Sequence, residues 1–291
     1  MTILVTGATG QVGTELVKAL LARGATVRAL VHNPASAGKV EGPGVETVSG
    51  DLQKPETLET AMRGIEKAFL LSQPSPQMPQ EARNFVAAAK GAGVSHLVRL
   101  SVLPAMPDSP LMIGKLHGEA DQAIIESGIP YTILRPAYFM QNQFRSIPTI
   151  GKDSAIYGIL GDGKVGHIDA RDVAEVAATV LTSEGHQGKI YPLSGPESLS
   201  MTEVAGRLSA AIGREIRYVN VTPADVKTAI LGMGAPELTA DIMVQLYTMI
   251  SEGKADMVSP AASEILGREP RSFDQFAQDF APMFKGTGVP G

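Results

Sequence analysis

Residues 3–13 read ILVTGATGQVG, a short apolar run followed by glycines at 7, 10 and 13. The run predicts a strand over Ile3 to Val5. From Gln11 to Arg23, Val12, Leu16, Ala19 and Leu20 fall on one face of a helix. A strand that turns sharply into a helix leaves the first N–H groups of the helix unpaired. Those groups and the helix dipole favour an anion. Each glycine then has its own task. Gly7 makes the turn, Gly10 lets a pyrophosphate approach the backbone, and Gly13 lets the helix pack on the strand. Gln11 and Val12 lie in the same first turn, and the Thr9 hydroxyl is offered to the same phosphates. The spacing is G-x-x-G-x-x-G, with Thr9 where the G-x-G-x-x-G pattern has its second glycine. Its position between an N-terminal strand and an amphipathic helix predicts a dinucleotide site. The alternative is a tight turn in some other α/β protein.

The rhythm set by this turn continues. Strands are expected at Thr26–Val31, Val45–Val48, Lys67–Leu71, His96–Ser101 and Tyr131–Leu134, with helices at Pro79–Ala92 and Leu116–Glu126. Alternation of this kind predicts an α/β fold, a Rossmann-type doubly wound parallel sheet with helices on both faces. After Pro136 the pattern changes. Residues 145–168 are Gly-rich and read as irregular. Helices follow at Asp169–Leu181, after Ser200 with Glu203 completing a capping box, after Thr222-Pro223, at Leu238–Ser251 and at Ser272–Phe284, with a strand at Glu215–Val221. The expected organisation is a dinucleotide-binding domain over residues 1–140 and a smaller, mostly helical substrate lobe over 141–291. Segments near 165–195 are expected to return to the sheet.

Which dinucleotide is read by the end of the second strand. No Asp or Glu stands between Glu15 and Glu41, so the carboxylate that usually holds an adenosine ribose is missing. Arg28, His32 and Lys39 are the basic groups there, and Asn33 follows His32. This favours NADP(H), with NAD(H) as the alternative. For Arg28 the competing reading is sheet packing, and for Lys39 a solvated loop charge.

Composition excludes several other functions. The formal net charge is -5 at pH 7, which argues against nucleic acid as the main partner. There is no cysteine, so thiolate chemistry and disulfides are absent. The five histidines include no i, i+4 pair, and no metal site is expected. No secretory signal or membrane-length apolar run is visible, so the cytoplasm is the expected location. A monomer or homodimer is expected.

The segments GATGQVG, VRALVHNP, GDL, SGIPYTILRPAYFMQN, HIDARDVAEVAATVL and YPLSGPESLSMTEVA together resemble the NmrA-like atypical short-chain dehydrogenase/reductase family. The likeness covers nearly the whole chain and is nearest in character to bacterial NAD(P)H-dependent quinone and triphenylmethane-dye reductases. It implies that Asp51 accepts from the adenine amino group, Leu52 covers the ring, and Ser72 and Gln73 lie along the pyrophosphate or ribose. Many members carry Arg where this chain has His32, a weaker grip on a 2′-phosphate. Standard short-chain dehydrogenases also use Ser with a Tyr-x-x-x-Lys pair. Counting back from SGIPYTILRP, the tyrosine position falls on Ile113 and the lysine position on His117. Ser101 is left as a supporting group, and Lys115 is expected to be solvated.

Isoleucine has no proton to give. The missing acid suits acceptors that take hydride readily and collect a proton from solvent, such as quinones, azo compounds and dyes. His117 is the candidate to hold the nicotinamide ribose, with proton donation as a lesser role. Pro136 and Tyr138 are expected beside the nicotinamide. Tyr138, Phe139, Met140 and Asn142 are expected to wall a small aromatic or quinonoid substrate; for Phe139 and Met140 the competing reading is core. Residues 103–113, rich in Pro and Met, suggest a flap. The alternative to an enzyme is a non-catalytic NAD(P)(H) sensor that regulates a protein partner.

Overall fold

The computed structural model describes residues 1–286. Strand and helix alternate from the start: β1 (Thr2–Val5), α1 (Gln11–Ala22), β2 (Thr26–Val31), β3 (Val45–Ser49), α2 (Pro55–Ala61), β4 (Lys67–Leu70), α3 (Met78–Gly91), β5 (His96–Leu100), α4 (Met112–Ile125) and β6 (Tyr131–Pro136). The six strands pair in the order β6-β5-β4-β1-β2-β3, every pair parallel. The chain steps outward from β1 to β3 and then returns past β1 to β4. That reversal creates the switch point at which open α/β sheets take ligands, at the carboxyl ends of the strands.

The chain continues through β7 (Tyr138–Phe139), a 3₁₀ segment at Met140–Ser146, α5 (Ile147–Asp153), β8 (Ala155–Gly158), β9 (Val165–Ile168), α6 (Ala170–Thr182) and β10 (Lys189–Leu193). It ends with β11 (Ser198–Leu199), α7 (Met201–Ile212), β12 (Arg217–Asn220), α8 (Pro223–Gly232), α9 (Glu237–Ser251), α10 (Ala261–Leu266), α11 (Phe273–Asp279) and α12 (Ala281–Phe284). Two compact units result. The first holds residues 1–136 and 170–192, and the second holds 137–169 and the chain from 193 onward. Residues 137–140 thus cluster with the second unit.

In the first unit β10 extends the sheet beside β6, giving seven strands. The central strands β1 and β4 are largely apolar because both sheet faces are covered there, whereas the edge strand β3 is exposed at Glu46, Thr47 and Ser49. Ile3, Leu4 and Val5 are all fully buried, each such side chain contributing ~1.5–3 kcal/mol. Helices α2, α3 and α4 pack together over Leu4, Leu30, Ala68, Leu70 and Leu97. Helix α1 packs instead against α6, which the chain supplies after its excursion into the second unit.

Two expectations for the first unit change. Helix α4 begins at Met112, four residues before the expected start at Leu116. Gly114 and Gly118 weaken the helical pattern in sequence, yet tertiary packing demands them. A Cβ on Gly118 would lie 2.1 Å from the Met106 carbonyl carbon, and one on Gly114 would lie 2.7 Å from the Pro104 oxygen. Residues 104–109 therefore lie directly on this helix. The Met106 N–H donates to the Gly114 carbonyl at 3.1 Å, and Ala105 is buried. The segment expected to be a flap is held on α4 along this stretch.

The second unit carries two small sheets, β11-β9-β7 and the parallel pair β12-β8. Residues 145–168, expected to be irregular, hold α5, β8 and β9. These elements are only four to seven residues long, too short for periodicity to register. The capping boxes form as the sequence predicts, with Ser200 and Glu203 on α7 and Thr222 and Asp225 on α8. The helix expected over 272–284 is two pieces, broken at Phe280, with Pro282 in the first turn of α12. Phe144, Phe273, Phe276 and Phe284 form the aromatic part of this unit's core. No helix among the described residues is long and apolar enough to cross a membrane.

Candidate active site

The parallel sheet brings the predicted cofactor residues to one edge. Gly7–Gly13 follow β1, His32 and Asn33 follow β2, Asp51 and Leu52 follow β3, Ser72 and Gln73 follow β4, Ser101 follows β5, and Pro136 ends β6. All six strands run the same way, so all six positions lie at the carboxyl end.

The glycine turn has the geometry its roles require. Gly7 has φ +63°, a left-handed conformation that side-chain-bearing residues rarely adopt. A Cβ on Gly13 would stand 2.1 Å from the Gly7 carbonyl oxygen, so this position admits only glycine. Gly10 is different. Its φ of -89° is ordinary, and the only close neighbour of a Cβ there is the Gly7 oxygen at 3.3 Å. Gly10 is exposed and open outward, which fits the approach of a ligand rather than a demand of the fold. No side chain caps α1 and its first turn carries no acidic residue. The N–H groups of its first turn are thus left for an anion.

Around the adenosine end the sequence reading is refined. Asp51 Oδ1 accepts from the Gln53 N–H at 2.9 Å, so this oxygen shapes its own loop. Asp51 Oδ2 lies 4.0 Å from both His32 Nδ1 and Lys54 Nζ. Leu52 packs partly into the core, and Asn33 Oδ1 caps the following 3₁₀ segment through the Ala35 N–H. His32 is exposed. Arg28 serves the sheet: its Nε binds Glu46 at 2.8 Å and its Nη1 binds the Ala61 and Arg63 carbonyls. It is removed from the basic set available to a 2′-phosphate, which leaves His32 and Lys39. Ser72 Oγ is buried without a hydrogen-bond partner.

Around Ser101 and His117, the residues expected near the nicotinamide, a charge network appears that sequence reasoning missed. Arg99 and Asp121 are fully buried and paired, Nε to Oδ1, at 2.8 Å. Asp121 Oδ2 also accepts from Ser101 Oγ at 2.8 Å and from Arg135 Nη2 at 2.9 Å. Arg99 Nη2 lies 3.4 Å from His117 Nδ1. Burial, with the Arg99 and Arg135 charges beside it, holds the His117 imidazole well below its usual pKa, so the ring is neutral. A guanidinium can only donate. The proton of His117 therefore sits on Nε2, which is buried without a partner. An oriented, unsatisfied N–H donor fits a ribose hydroxyl. It does not fit a general acid, because a neutral imidazole with so depressed a pKa gives up no proton at neutrality. Lys115 is exposed, as expected, and Ile113 is buried. The missed signals were an arginine inside the apolar strand HLVRL and an aspartate four residues after His117 on the same helix face.

The second unit contains a cavity of about 360 Å³. Tyr138, Tyr218 and Tyr247 give it an aromatic lining, joined by Asn142, Arg145 and Met233. Burial and the neighbouring Tyr247 push the Tyr138 phenol well above its usual pKa, so it stays protonated. Its ring packs edge-on against His167, centroids 5.4 Å apart. Tyr218 is fixed by the Leu160 N–H, which donates to its hydroxyl at 2.8 Å. Two predicted substrate residues are placed otherwise. Met140 is 1% exposed and belongs to the core. Phe139, the second residue of β7, does not line the cavity. Successive residues of an extended strand point to opposite sides, so Tyr138 and Phe139 cannot both face one wall.

These residues fit a nicotinamide dinucleotide. The glycine positions, the uncapped helix and the two orphaned polar atoms, Ser72 Oγ and His117 Nε2, each leave room or a partner for it. Comparison with known proteins agrees. The model of the NmrA-like family matches residues 1–277. The chain is 41% identical to an NAD(P)H azoreductase of Xenophilus azovorans, over 97% of this chain and 99% of that one. It superposes on an NADPH-dependent quinone oxidoreductase of Escherichia coli complexed with NADPH, with TM-score 0.86, 31% identity and coverage of 96% and 99%. It is also similar to the Citrobacter triphenylmethane reductase complexed with NADP(H), with TM-score 0.82, 30% identity and coverage of 97% and 100%. The chain belongs to the NmrA-like family, and its central parallel sheet is the Rossmann-type sheet of that family.

Proposed function

We propose that this protein is an NAD(P)H-dependent reductase of electron-poor conjugated acceptors such as quinones, azo compounds and dyes. The observation that carries this reading is the uncapped N terminus of α1 behind a turn in which Gly13 has no room for a Cβ. The named relatives act with nicotinamide cofactors, which supports the same reading.

When bound, the dinucleotide supplies the hydride. The chain's own residues bind and orient. The N–H groups at Gln11, Val12 and Gly13 receive the pyrophosphate, and Thr9 and Ser72 add hydroxyls beside it. His32 and Lys39 favour a 2′-phosphate, which makes NADPH the preferred cofactor and NADH the second. His117 Nε2–H holds the nicotinamide ribose, fixed by the Arg99–Asp121 pair. Ser101 has committed its proton to Asp121 and supports the network. Ile113 offers no acid, so the acceptor must be one whose reduced form takes its proton from water. The cavity around Tyr138 and Asn142 is the seat assigned to that acceptor, a small aromatic or quinonoid compound. These assignments make residues 1–136 with 170–192 the cofactor domain and the second unit the substrate lobe, so the boundary expected at 140 moves to 136.

The test is consumption of NADPH and of NADH, followed by nicotinamide absorbance, with and without a panel of quinones, azo compounds and dyes. Oxidation only in the presence of an acceptor, faster with NADPH, is the expected result. Calorimetric binding of NADPH with no turnover of any acceptor would contradict the reading and favour a cofactor sensor.

A further inference from the structure

The cavity of the second unit carries an uncommitted positive charge. Its lining includes two charged residues, Arg145 and Asp225. Asp225 is spent on its own helix. Its carboxylate accepts from both the backbone N–H and the hydroxyl of Thr222, at 3.0 and 2.6 Å, closing the cap of α8. Arg145 is exposed, and among the described residues it meets no carboxylate within ion-pair distance. Arg99, Arg135 and Arg207 all do. Nor does Arg145 stand at a free helix end, since the 3₁₀ segment that carries it runs directly into α5 at Ile147. Its charge is felt inside the cavity, where it acts on the phenol of Tyr138 against the effect of burial.

A tyrosine-lined cavity with one unpaired guanidinium selects by charge as well as by shape. The guanidinium presents a planar fork of donors that matches a carboxylate, sulfonate or phosphate ester. We propose that the preferred acceptors bear such an anionic oxygen group and that Arg145 is the residue that engages it. Tyr138, Tyr218 and Tyr247 provide aromatic surface for the conjugated part. Cationic dyes are then the poorest members of the acceptor class, because they bring a like charge to Arg145. This inference rests on the reductase reading and on the assignment of this cavity to the acceptor.

The test uses matched azo compounds, a parent and its sulfonate, together with a cationic dye. They are given to the wild-type protein and to Arg145→Met and Arg145→Lys. Wild type is expected to show a lower KM for the sulfonate than for the parent. In Arg145→Met the KM ratio of sulfonate to parent should rise about tenfold, the loss of one charge-assisted contact. Arg145→Lys should recover part of that preference, and the cationic dye should improve in Arg145→Met. Calorimetric binding of the sulfonate should weaken in the same order. Arg145 is exposed, so melting temperatures should not separate the variants. An unchanged KM ratio in Arg145→Met, with the parent compound still reduced, would overturn this inference alone. If no acceptor of any charge is reduced, the reductase reading fails and takes this inference with it.

Discussion

The two units build their binding surfaces by opposite means. The first uses backbone. Its phosphate seat is a set of N–H groups, and the decisive residues are glycines chosen for what they lack. The same unit holds a network in which Asp121 takes hydrogen bonds from the buried Arg99 and Ser101 and from the partly buried Arg135. The second unit uses side chains, with tyrosines, an asparagine and an unpaired arginine around a cavity. A backbone site tolerates little change where Gly7 and Gly13 answer steric limits. A side-chain cavity can be relined without disturbing the sheet beneath it. On the proposed reading, one unit holds the cofactor and the other selects the acceptor.

The largest expected effect strikes the buried network. Asp121→Ala removes the carboxylate that Arg99 and Arg135 both bind, a loss of ~3–5 kcal/mol for a buried pair broken on one side. Denaturant unfolding should register this as a lower midpoint, with the first unit's signals lost earliest. A midpoint like that of wild type would mean the network contributes nothing to the frame of the site.

Acid should act on both units alike. Each buries a histidine held at about 4 by desolvation, His96 in the first and His167 in the second. His96 Nε2 donates to the Thr132 hydroxyl at 2.9 Å, and the His167 Nδ1–H donates to the Val165 carbonyl at 2.8 Å. An unfolded imidazole gains its proton near pH 6.5, whereas these two refuse theirs until about pH 4. Stability is therefore intact above 6.5. It falls with decreasing pH by ~1.4 kcal/mol per unit for each of these two histidines down to about 4, and the buried neutral His117 adds a loss of the same sign below 6.5. Unfolding midpoints measured across that window should decline, and His167→Gln should make the decline shallower. A flat profile would contradict the neutral state assigned to both rings.

A smaller effect separates holding from chemistry. His117→Ala removes one hydrogen bond to the cofactor, so NADPH affinity should fall about tenfold with kcat little changed. A drop in kcat at constant affinity would instead make His117 a proton donor. The smallest effect lies at the rim. His32→Arg adds a permanent charge at an exposed position, and the preference for NADPH over NADH should rise about threefold, the scale of an exposed ion pair. A preference that falls would show that His32 does not face the 2′-phosphate.

The same contrast explains how much the sequence could reveal. The turn from Gly7 to Gly13 was legible because steric need leaves a spacing in the chain. The sheet was legible because short strand runs, most of them rich in apolar residues, alternate with helices that carry a clear apolar stripe. The start of α4 was not, because Gly114 and Gly118 look like helix breakers until residues 104–109 are seen packed on them. Arg99, Asp121 and Arg135 come from three separate elements, and nothing local joins them. Tyr138 and Met140 are neighbours in sequence, yet one lines the cavity and the other fills the core. Tyr218, Tyr247 and Arg145 meet only through folding of the second unit, where short elements leave little periodicity to read.

The most direct test is to replace Gly10, the one glycine of the turn that the fold itself does not demand. Its backbone angles suit any residue, and a Cβ meets only the Gly7 oxygen at 3.3 Å. Gly10→Val should therefore melt close to wild type. In a calorimetric titration with NADPH it should show no binding, because its side chain occupies the approach to the α1 N terminus. A Gly10→Val protein that binds NADPH as tightly as wild type would contradict the account, since the phosphates would then lie elsewhere.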